Sequence, residues 1–324
     1  MIGRFALRGK LGEGAFGEVF RAYDGQLDRE VALKVAKPSA LSSEERIQRF
    51  LREAKAAANL RHPNIVPLFD AGQADGRYFI ASAFVPGRTL EAEIDEAEKK
   101  PLALDRAASV IRRLAEALGY AHKQGITHRD VKPANTLIDE AGEPHLLDFG
   151  LAARAGDDVL QTQDGKVMGT PAYMSPEQAA GKSAEATAAS DQYALGVMLF
   201  EMATGRRPFS GSMEVMLFNH IQVAPPRPRS VNRSLPKDLE TIISKCLEKE
   251  PSKRYPNCEA LAEDLRRFGA GEPVTARRIG TIERTARWAK RNPVVAGSLA
   301  FAMLFSASAG VPQVGLEANP RKGG

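Results

Sequence analysis

Eight residues, His128-Arg129-Asp130-Val131-Lys132-Pro133-Ala134-Asn135, constrain this chain more than any other stretch, together with Asp148-Phe149-Gly150 downstream. A carboxylate, two cations, an imidazole and an amide so close together suit a reaction in which the protein mainly positions charge around a moving phosphoryl group. Asp130 is placed to accept the proton of a substrate hydroxyl, and Lys132 to neutralise charge growing on the transferred group. Asn135 and Asp148 offer the amide and carboxylate oxygens that magnesium prefers. Either tripeptide alone, His128-Arg129-Asp130 or Asp148-Phe149-Gly150, is a common accident; in this order they form a pattern.

The rest of the chain has the material to hold such loops. With 324 residues and 43% apolar content it can build one large or two ordinary domains around a sizeable core. The two cysteines, Cys246 and Cys258, lack the spacing of a metal site, and no pattern of pairs supports a disulfide scaffold. Met1 runs into the segment Phe5 to Val19 without an apolar leader, so the expected location of the catalytic part is the cytoplasm. The net charge of +5 is a local matter: residues 277–291 hold Arg277, Arg278, Arg284, Arg287, Lys290 and Arg291 against Glu283. Residues 1–276 are nearly neutral, which argues against nucleic acid as a partner.

The N-terminal third reads as strands around one helix. Leu11-Gly12-Glu13-Gly14-Ala15-Phe16-Gly17-Glu18-Val19 carries a GxGxxGxV spacing. In a dinucleotide-binding fold such glycines open a helix, but here Glu18 to Tyr23 alternates like a strand, so a hairpin fits better. Its glycines let backbone amides approach an anion. Val31-Ala32-Leu33-Lys34 is a second apolar strand with one lysine. Ser42 and Glu45 make a capping-box pattern before Ile47, Phe50, Leu51, Ala54 and Ala57 recur at helical spacing. Glu53 lies on or beside that apolar face, and Lys34 is the cation expected to pair with it. Tyr78 to Val85 is a further strand, ending at Pro86-Gly87.

The remainder reads as mainly helical. Asp105 opens a helix with Ala107, Val110, Ile111, Leu114, Ala117, Leu118 and Ala121 on one face, and Gly125 ends it just before His128. Leu137 and Ile138 start a short hairpin leading to Asp148. Asp191 to Met202 is apolar nearly all round, which predicts a buried helix in which Asp191 needs internal donors.

These motifs, taken in order, resemble the eukaryotic-type protein kinase family in its bacterial serine/threonine form, over about residues 1–270. The resemblance implies an α+β bilobal protein-kinase fold, with a small β-rich N-lobe (1–82), a hinge (83–87) and a larger helical C-lobe (88–270). It implies ATP and Mg2+ as cofactors. The ATP site would be lined by Leu11, Gly12, Gly14, Ala15, Phe16, Gly17, Val19 and Ala32. Lys34 would hold phosphates with Glu53 as its partner, and Ala83 and Val85 would present backbone to the base above Leu137. Ser82 would stand at the back of the pocket, a small residue there, and Ala83 replaces the acid common at the first hinge position. Asp191 would accept backbone amides of the catalytic loop, and Glu177 would pair with Arg254.

Between Gly150 and Gly169 Thr162 alone carries a hydroxyl, and the segment resembles an activation loop. Arg129 would meet a phosphate on Thr162; a plain contact with Asp157 or Asp158 is the other reading. Lys132 and Thr170 are features of the serine/threonine branch, so the expected partners are proteins with serine or threonine acceptors. A pseudokinase scaffold is the rival reading, and the presence of Lys34, Glu53, Asp130, Asn135 and Asp148 together weighs against it. A small-molecule phosphotransferase is disfavoured by Gly169-Thr170-Pro171-Ala172-Tyr173-Met174-Ser175-Pro176-Glu177, the segment that shapes a peptide groove in the family.

Beyond the basic stretch 271–292, Val294 to Val311 is uncharged and rich in Ala, Val, Leu and Phe. Eighteen helical residues at ~1.5 Å each reach about 27 Å, near the lower limit for crossing a bilayer. A single membrane span (293–312) with a short tail (313–324) is therefore expected. The basic flank and Trp288 favour a kinase domain on the cytoplasmic side. The competing expectation is a helix docked on the C-lobe.

Overall fold

The computed structural model describes residues 1–14, 16–149, 171–182 and 186–276. Ala15, Gly150, Thr162, Thr170, the basic residues from Arg277 onward and Val294 to Val311 lie outside the described residues. Met1–Ala270 and Val274–Arg277 cluster as one compact unit, and Gly271–Pro273 with Arg278–Gly324 form a second.

The first unit opens with β1 (Phe5–Glu13), β2 (Gly17–Asp24), β3 (Arg29–Ala36), helix α1 (Glu44–Ala57), β4 (Leu68–Ala74) and β5 (Arg77–Ala83). The strands form one antiparallel sheet in the order β1-β2-β3-β5-β4. Alternation divides its residues between two faces. Val31, Leu33 and Val35 pack on the outer face with Ile2, Phe5, Ala22, Phe79 and Ala81. Ala32 and Lys34 therefore point to the inner face. Cross-strand pairing puts Val19 opposite Lys34 and Ser82 opposite Ala32 in that same layer.

Helix α1 buries Phe50, Ala54 and Ala57, as the apolar spacing predicted, and the Phe50 ring stacks on Phe16 at 5.5 Å. Its cap differs from expectation. Ser43 rather than Ser42 is the N-cap, accepting from the Arg46 amide. The reason is the tight turn Pro38–Leu41 just before, which uses Ser42 as its own C-cap.

The chain then crosses to β6 (Gly87–Thr89), α2 (Leu90–Glu96), α3 (Leu104–Lys123), β7 (Thr136–Asp139) and β8 (Pro144–Leu146). Helices α4 (Pro176–Ala179), α5 (Ala188–Thr204), α6 (Met213–Gln222), α7 (Pro228–Val231), α8 (Lys237–Cys246) and α9 (Cys258–Gly269) follow. Every residue of the stripe predicted for α3, from Ala107 to Ala121, is fully buried. The helix ends where Gly125 takes φ +75°, a left-handed conformation that a glycine adopts without steric cost. Helix α5, buried nearly all round, is the axis on which α3, α8 and α9 pack. The result is a β-rich lobe joined to a helical lobe, with Ala83 to Gly87 between them.

The compact unit extends past α9. Val274 returns to the core, and the buried carboxylate of Asp264 accepts the Thr275 amide at 2.6 Å and the Ala276 amide at 2.9 Å. Tyr255 donates its hydroxyl to the same carboxylate. A buried carboxylate needs such donors, so Thr275 and Ala276 are tied to α9 through their amides, with Val274 seated in the core.

Candidate active site

The predicted catalytic loop is suspended from helix α5. Asp191, 1% exposed, accepts the His128 amide on Oδ2 at 2.9 Å and the Arg129 amide on Oδ1 at 2.8 Å. This is the internal hydrogen bonding the sequence demanded of it. His122, in the last turn of α3, adds a contact from Nε2 to Asp191 Oδ2 at 2.8 Å. On the other side Gln178 donates its side-chain amide to the Arg129 carbonyl at 2.7 Å. Arg129 has φ +68° and Asp148 φ +57°, left-handed conformations that non-glycine residues keep only where surrounding bonds impose them.

Asp130 follows directly from this anchored segment. Its carboxylate accepts from Lys132 Nζ at 2.8 and 3.0 Å and from Asn135 Nδ2 at 2.8 Å. Asn135 Nδ2 also donates to the Asp130 carbonyl at 2.9 Å. The amide nitrogen serves Asp130, which leaves the Asn135 Oδ1, bonded to none of the described residues, as a candidate oxygen ligand. The Asn135 carbonyl accepts from the Leu147 amide at 3.0 Å, and His128 Nε2 contacts the Leu147 carbonyl at 2.8 Å. These bonds tie the catalytic loop to the segment leading into Asp148. Phe149 packs its ring 4.7 Å from the ring of the fully buried His128.

Across the cleft, Lys34 Nζ meets Asp148 Oδ2 at 2.6 Å. This corrects the expected pairing: the ion pair of Lys34 is with Asp148 and not with Glu53. Strand β3 aims Lys34 at the loop after β8, and the left-handed turn at Asp148 brings its carboxylate within reach. Bonds of this length between an ammonium and an ionised carboxylate are the strong, charge-assisted kind. Glu53 is half-buried on α1, next to fully buried Ala54.

The other site residues named from the sequence surround this centre. Leu11, Gly12 and Gly14 lie exposed in the β1–β2 hairpin, while Phe16 and Gly17 are buried at its base. A Cβ on Gly17 would sit 1.9 Å from the Val35 carbonyl oxygen, so this position tolerates only glycine. Lys37 donates to Glu13 at 2.7 Å and to the Gly14 carbonyl at 3.2 Å, which links the hairpin tip to the end of β3. Val19, Ala32 and Ser82 are half-buried on the inner face, and Ser82 Oγ donates to the Ala32 carbonyl at 3.4 Å. Ala83 ends β5, its amide bonded to the Pro67 carbonyl, and Val85 follows in the connection. Leu137 is half-buried between the buried Thr136 and Ile138, so it faces the opposite side of β7 from them. Arg129 lies at the heart of the anchored loop. Ala15, Thr162 and Thr170 lie outside the described residues.

Behind the site, Arg254 is fully buried and forms a two-pronged bond to Glu177 at 2.8 and 2.9 Å. Ser190 Oγ donates to Glu177 as well. Burial alone would raise the Glu177 pKa, but the hydrogen bonds from Arg254 and Ser190 outweigh it and hold the carboxyl below its ordinary value. Nearby, Tyr173 donates to Glu201 at 2.5 Å. Burial, followed by the charge of Glu201, raises the Tyr173 pKa, and burial raises that of Glu201.

Two supports escaped the sequence reading. His122 lies four residues after Leu118 on the buried stripe of α3, and that placement was the available signal. Gln178 carried none, because its partner is a backbone carbonyl distant in sequence.

The donor set suits magnesium. Asp148 and Asn135 offer hard oxygens that would suit it, and among the described residues no group of three or more His, Cys, Asp or Glu forms a cage of its own. A cation held by two protein oxygens completes its sphere with water and phosphate, as magnesium does.

Residues 5–265 match the protein kinase domain family. The chain is 37% identical over 294 residues to the serine/threonine-protein kinase PrkC of Bacillus subtilis, covering 90% of this chain and 44% of that protein. It is 39% identical over 292 residues to the serine/threonine-protein kinase PknB of Mycobacterium tuberculosis, covering 87% and 46%. It thus spans less than half the length of these relatives. The crystal structure of the Mycobacterium tuberculosis PknI kinase domain superposes with a TM-score of 0.68 at 27% identity, covering 82% of this chain and 97% of that domain.

Proposed function

This chain belongs to the protein kinase family, and from that premise we propose that it transfers the γ-phosphoryl group of ATP to serine or threonine hydroxyls of proteins. The observation that carries the reading is the fixing of Asp130 by Lys132 and Asn135 within one loop that faces the Lys34–Asp148 pair. Asp130 accepts the proton of the attacking hydroxyl. Lys132, already bonded to Asp130, stands where negative charge grows during transfer. Lys34 holds the phosphate chain, and the glycine hairpin covers it with backbone amides. Asn135 and Asp148 would hold Mg2+, whose charge offsets that of the phosphates.

The names of the similar proteins and the residues Lys132 and Thr170 support a serine/threonine acceptor. A nucleotide-binding scaffold without transfer has no observation in its favour, since Lys34, Asp130, Asn135 and Asp148 converge on one cleft. Thr162 is the proposed autophosphorylation site, with Arg129 as the partner of its phosphate. Membrane anchoring through Val294 to Val311 is also part of the proposal. Its support is the uncharged sequence and its basic flank. Among the described residues no helix is long and apolar enough to cross a membrane, and the segment itself lies outside them.

The deciding experiment is Asp130→Asn. Transfer from radiolabelled ATP to a protein acceptor is expected to fall by about 10²–10⁴-fold, the usual share of a general base. ATP affinity should stay near the parent value, because Asp130 acts on the transition state. Wild-type transfer by this variant would sink the assignment.

A further inference from the structure

Helix α6 is fastened by a polar side chain. Val215 and Phe218, 48% and 59% exposed, face solvent, whereas His220, 0% exposed, is the one residue of the helix that is fully buried. A surface helix ordinarily anchors itself by its apolar stripe; here an imidazole takes that place. Tyr193 of α5 sets its hydroxyl 3.0 Å from His220 Nδ1, and the Phe209 ring stands edge-on to the imidazole at 5.1 Å. Lys249 Nζ donates to the carbonyls of Asn219 and His220 at 3.0 and 2.7 Å, which holds the C-terminal end of the helix.

This pocket holds one more hydrogen than the Tyr193 contact can absorb. Burial, followed by the charge of Lys249, pushes the His220 pKa down to about 4, so the ring is neutral and carries a single proton. With that proton on Nδ1, the ring donates to the Tyr193 oxygen and the phenol hydrogen is left over. With it on Nε2, the phenol donates to Nδ1 and the Nε2–H is left over. Nε2 is buried and meets no partner at full hydrogen-bond distance among the described residues, and the acceptor on its side is the Ala172 backbone. A buried donor without an acceptor is unfavourable, which selects the tautomer whose spare N–H faces a carbonyl. Ala172, 1% exposed, lies in the tight turn Pro171–Tyr173, on which α6 packs. That turn belongs to the segment ending at Glu177 that shapes a peptide groove in the family.

We infer that His220 is a positioning residue for the protein acceptor: Tyr193 fixes its proton on Nε2, and the Nε2–H holds the Ala172 carbonyl and so places the turn against which an acceptor peptide lies. The inference deepens the proposed function and rests on it for the kinetic readout alone. His220, being fully buried, touches neither acceptor nor nucleotide; its effect passes through one backbone carbonyl.

The test compares the full-length wild type with three variants, using casein as acceptor. His220→Phe fills the pocket without either nitrogen. His220→Asn carries its amide at the distance of Nδ1 and reaches Tyr193 only, whereas His220→Gln carries an amide N–H at the distance of Nε2. One buried hydrogen bond shifts an equilibrium by up to about tenfold, so the casein KM should rise about tenfold in the Phe and Asn variants and stay within about threefold of wild type in the Gln variant. The kcat and the ATP KM should remain within about twofold in all three, because loss of acceptor binding common to ground and transition states raises that KM alone. Amide hydrogen exchange at residues 172–174 reads the turn without any transfer: about tenfold faster in the Phe and Asn variants and near native in the Gln variant. Wild-type casein KM and protection in His220→Phe would overturn the inference. Rescue by Asn instead of Gln would too, since the Tyr193 contact would then be what matters, and so would equal impairment of all three. If His220→Phe does not fold, His220→Asn decides by the same measures. If wild type itself transfers no phosphate, the functional reading fails while the exchange comparison still decides this one.

Discussion

Asp148 shows how a single residue is shaped by what surrounds it. Its left-handed backbone, its bond to Lys34 and its place after the Leu147 contacts define one orientation of its carboxylate. Ser82 is a residue whose effect is volume rather than charge. It shares the inner face with Ala32 and Val19, and both Ser82 and Ala32 are small. Ligands with bulk beside the adenine amine should therefore enter the wild-type pocket. Ser82→Phe fills that space, and a ligand forced against a packed ring loses about 1–3 kcal/mol. The expected outcome is loss of inhibition by bulky adenine analogues with ATP turnover retained, read from paired inhibition curves. Equal inhibition of both proteins would place the pocket wall elsewhere.

Between elements, the Glu177–Arg254 pair joins α4, just after the segment leading from the catalytic cleft, to the turn before α9. Arg254 is fully buried and further bonded to the carbonyls of Glu248, Lys249 and Ala189. Removing one partner leaves a buried charge unmatched, at a typical cost of about 3–5 kcal/mol. Glu177→Gln should lower unfolding free energy by about 3 kcal/mol, near the low end, because an amide oxygen still accepts one bond. The pH dependence has a definite sign. The folded Glu177 pKa lies below its ordinary value of 4.5, so its stabilisation is present above about pH 4.5 and is lost as pH falls through the folded value. Urea midpoints measured from pH 7 to pH 3 should fall less steeply in Glu177→Gln than in wild type. A parallel decline in both would remove Glu177 from the acid response.

For the whole molecule, the boundary of the catalytic unit and the proposed membrane anchor can be tested together. Asp264 needs the amides of Thr275 and Ala276, so a chain cut at Gly271 leaves a buried carboxylate short of donors. A chain ending at Arg277 keeps them and is expected to be the more stable, folded and active of the two. If Val294 to Val311 inserts in a bilayer, the full chain should sediment with membranes and stay there in high salt or alkali. Screening weakens attraction of residues 277–291 to anionic lipid but leaves hydrophobic insertion intact. Release by salt alone would make the segment a docked or interfacial helix.

The amino-acid sequence by itself determined the periods and the punctuation. The stripe of α3, the alternation of β3, the buried run of α5 and the charged loop from His128 to Asn135 all follow from local spacing. Local spacing acts over a few residues, where 3.6-fold and twofold periods decide which side chains share a face. The Asp191 contacts and the Glu177–Arg254 pair were legible because the motifs that carry them resemble a known family. Choice of partner across long separations belonged to the tertiary structure. Lys34 takes Asp148, 114 residues away, instead of Glu53, because only the folded cleft sets those distances. Ser43 caps α1 because the preceding turn already uses Ser42. His122 contacts Asp191 because α3 and α5 pack together beneath the loop, and residues 274–276 fold back on α9 because the buried Asp264 takes its donors from their amides. Each of these is a competition among chemically similar groups, and in such a competition distance and burial decide what residue type leaves open.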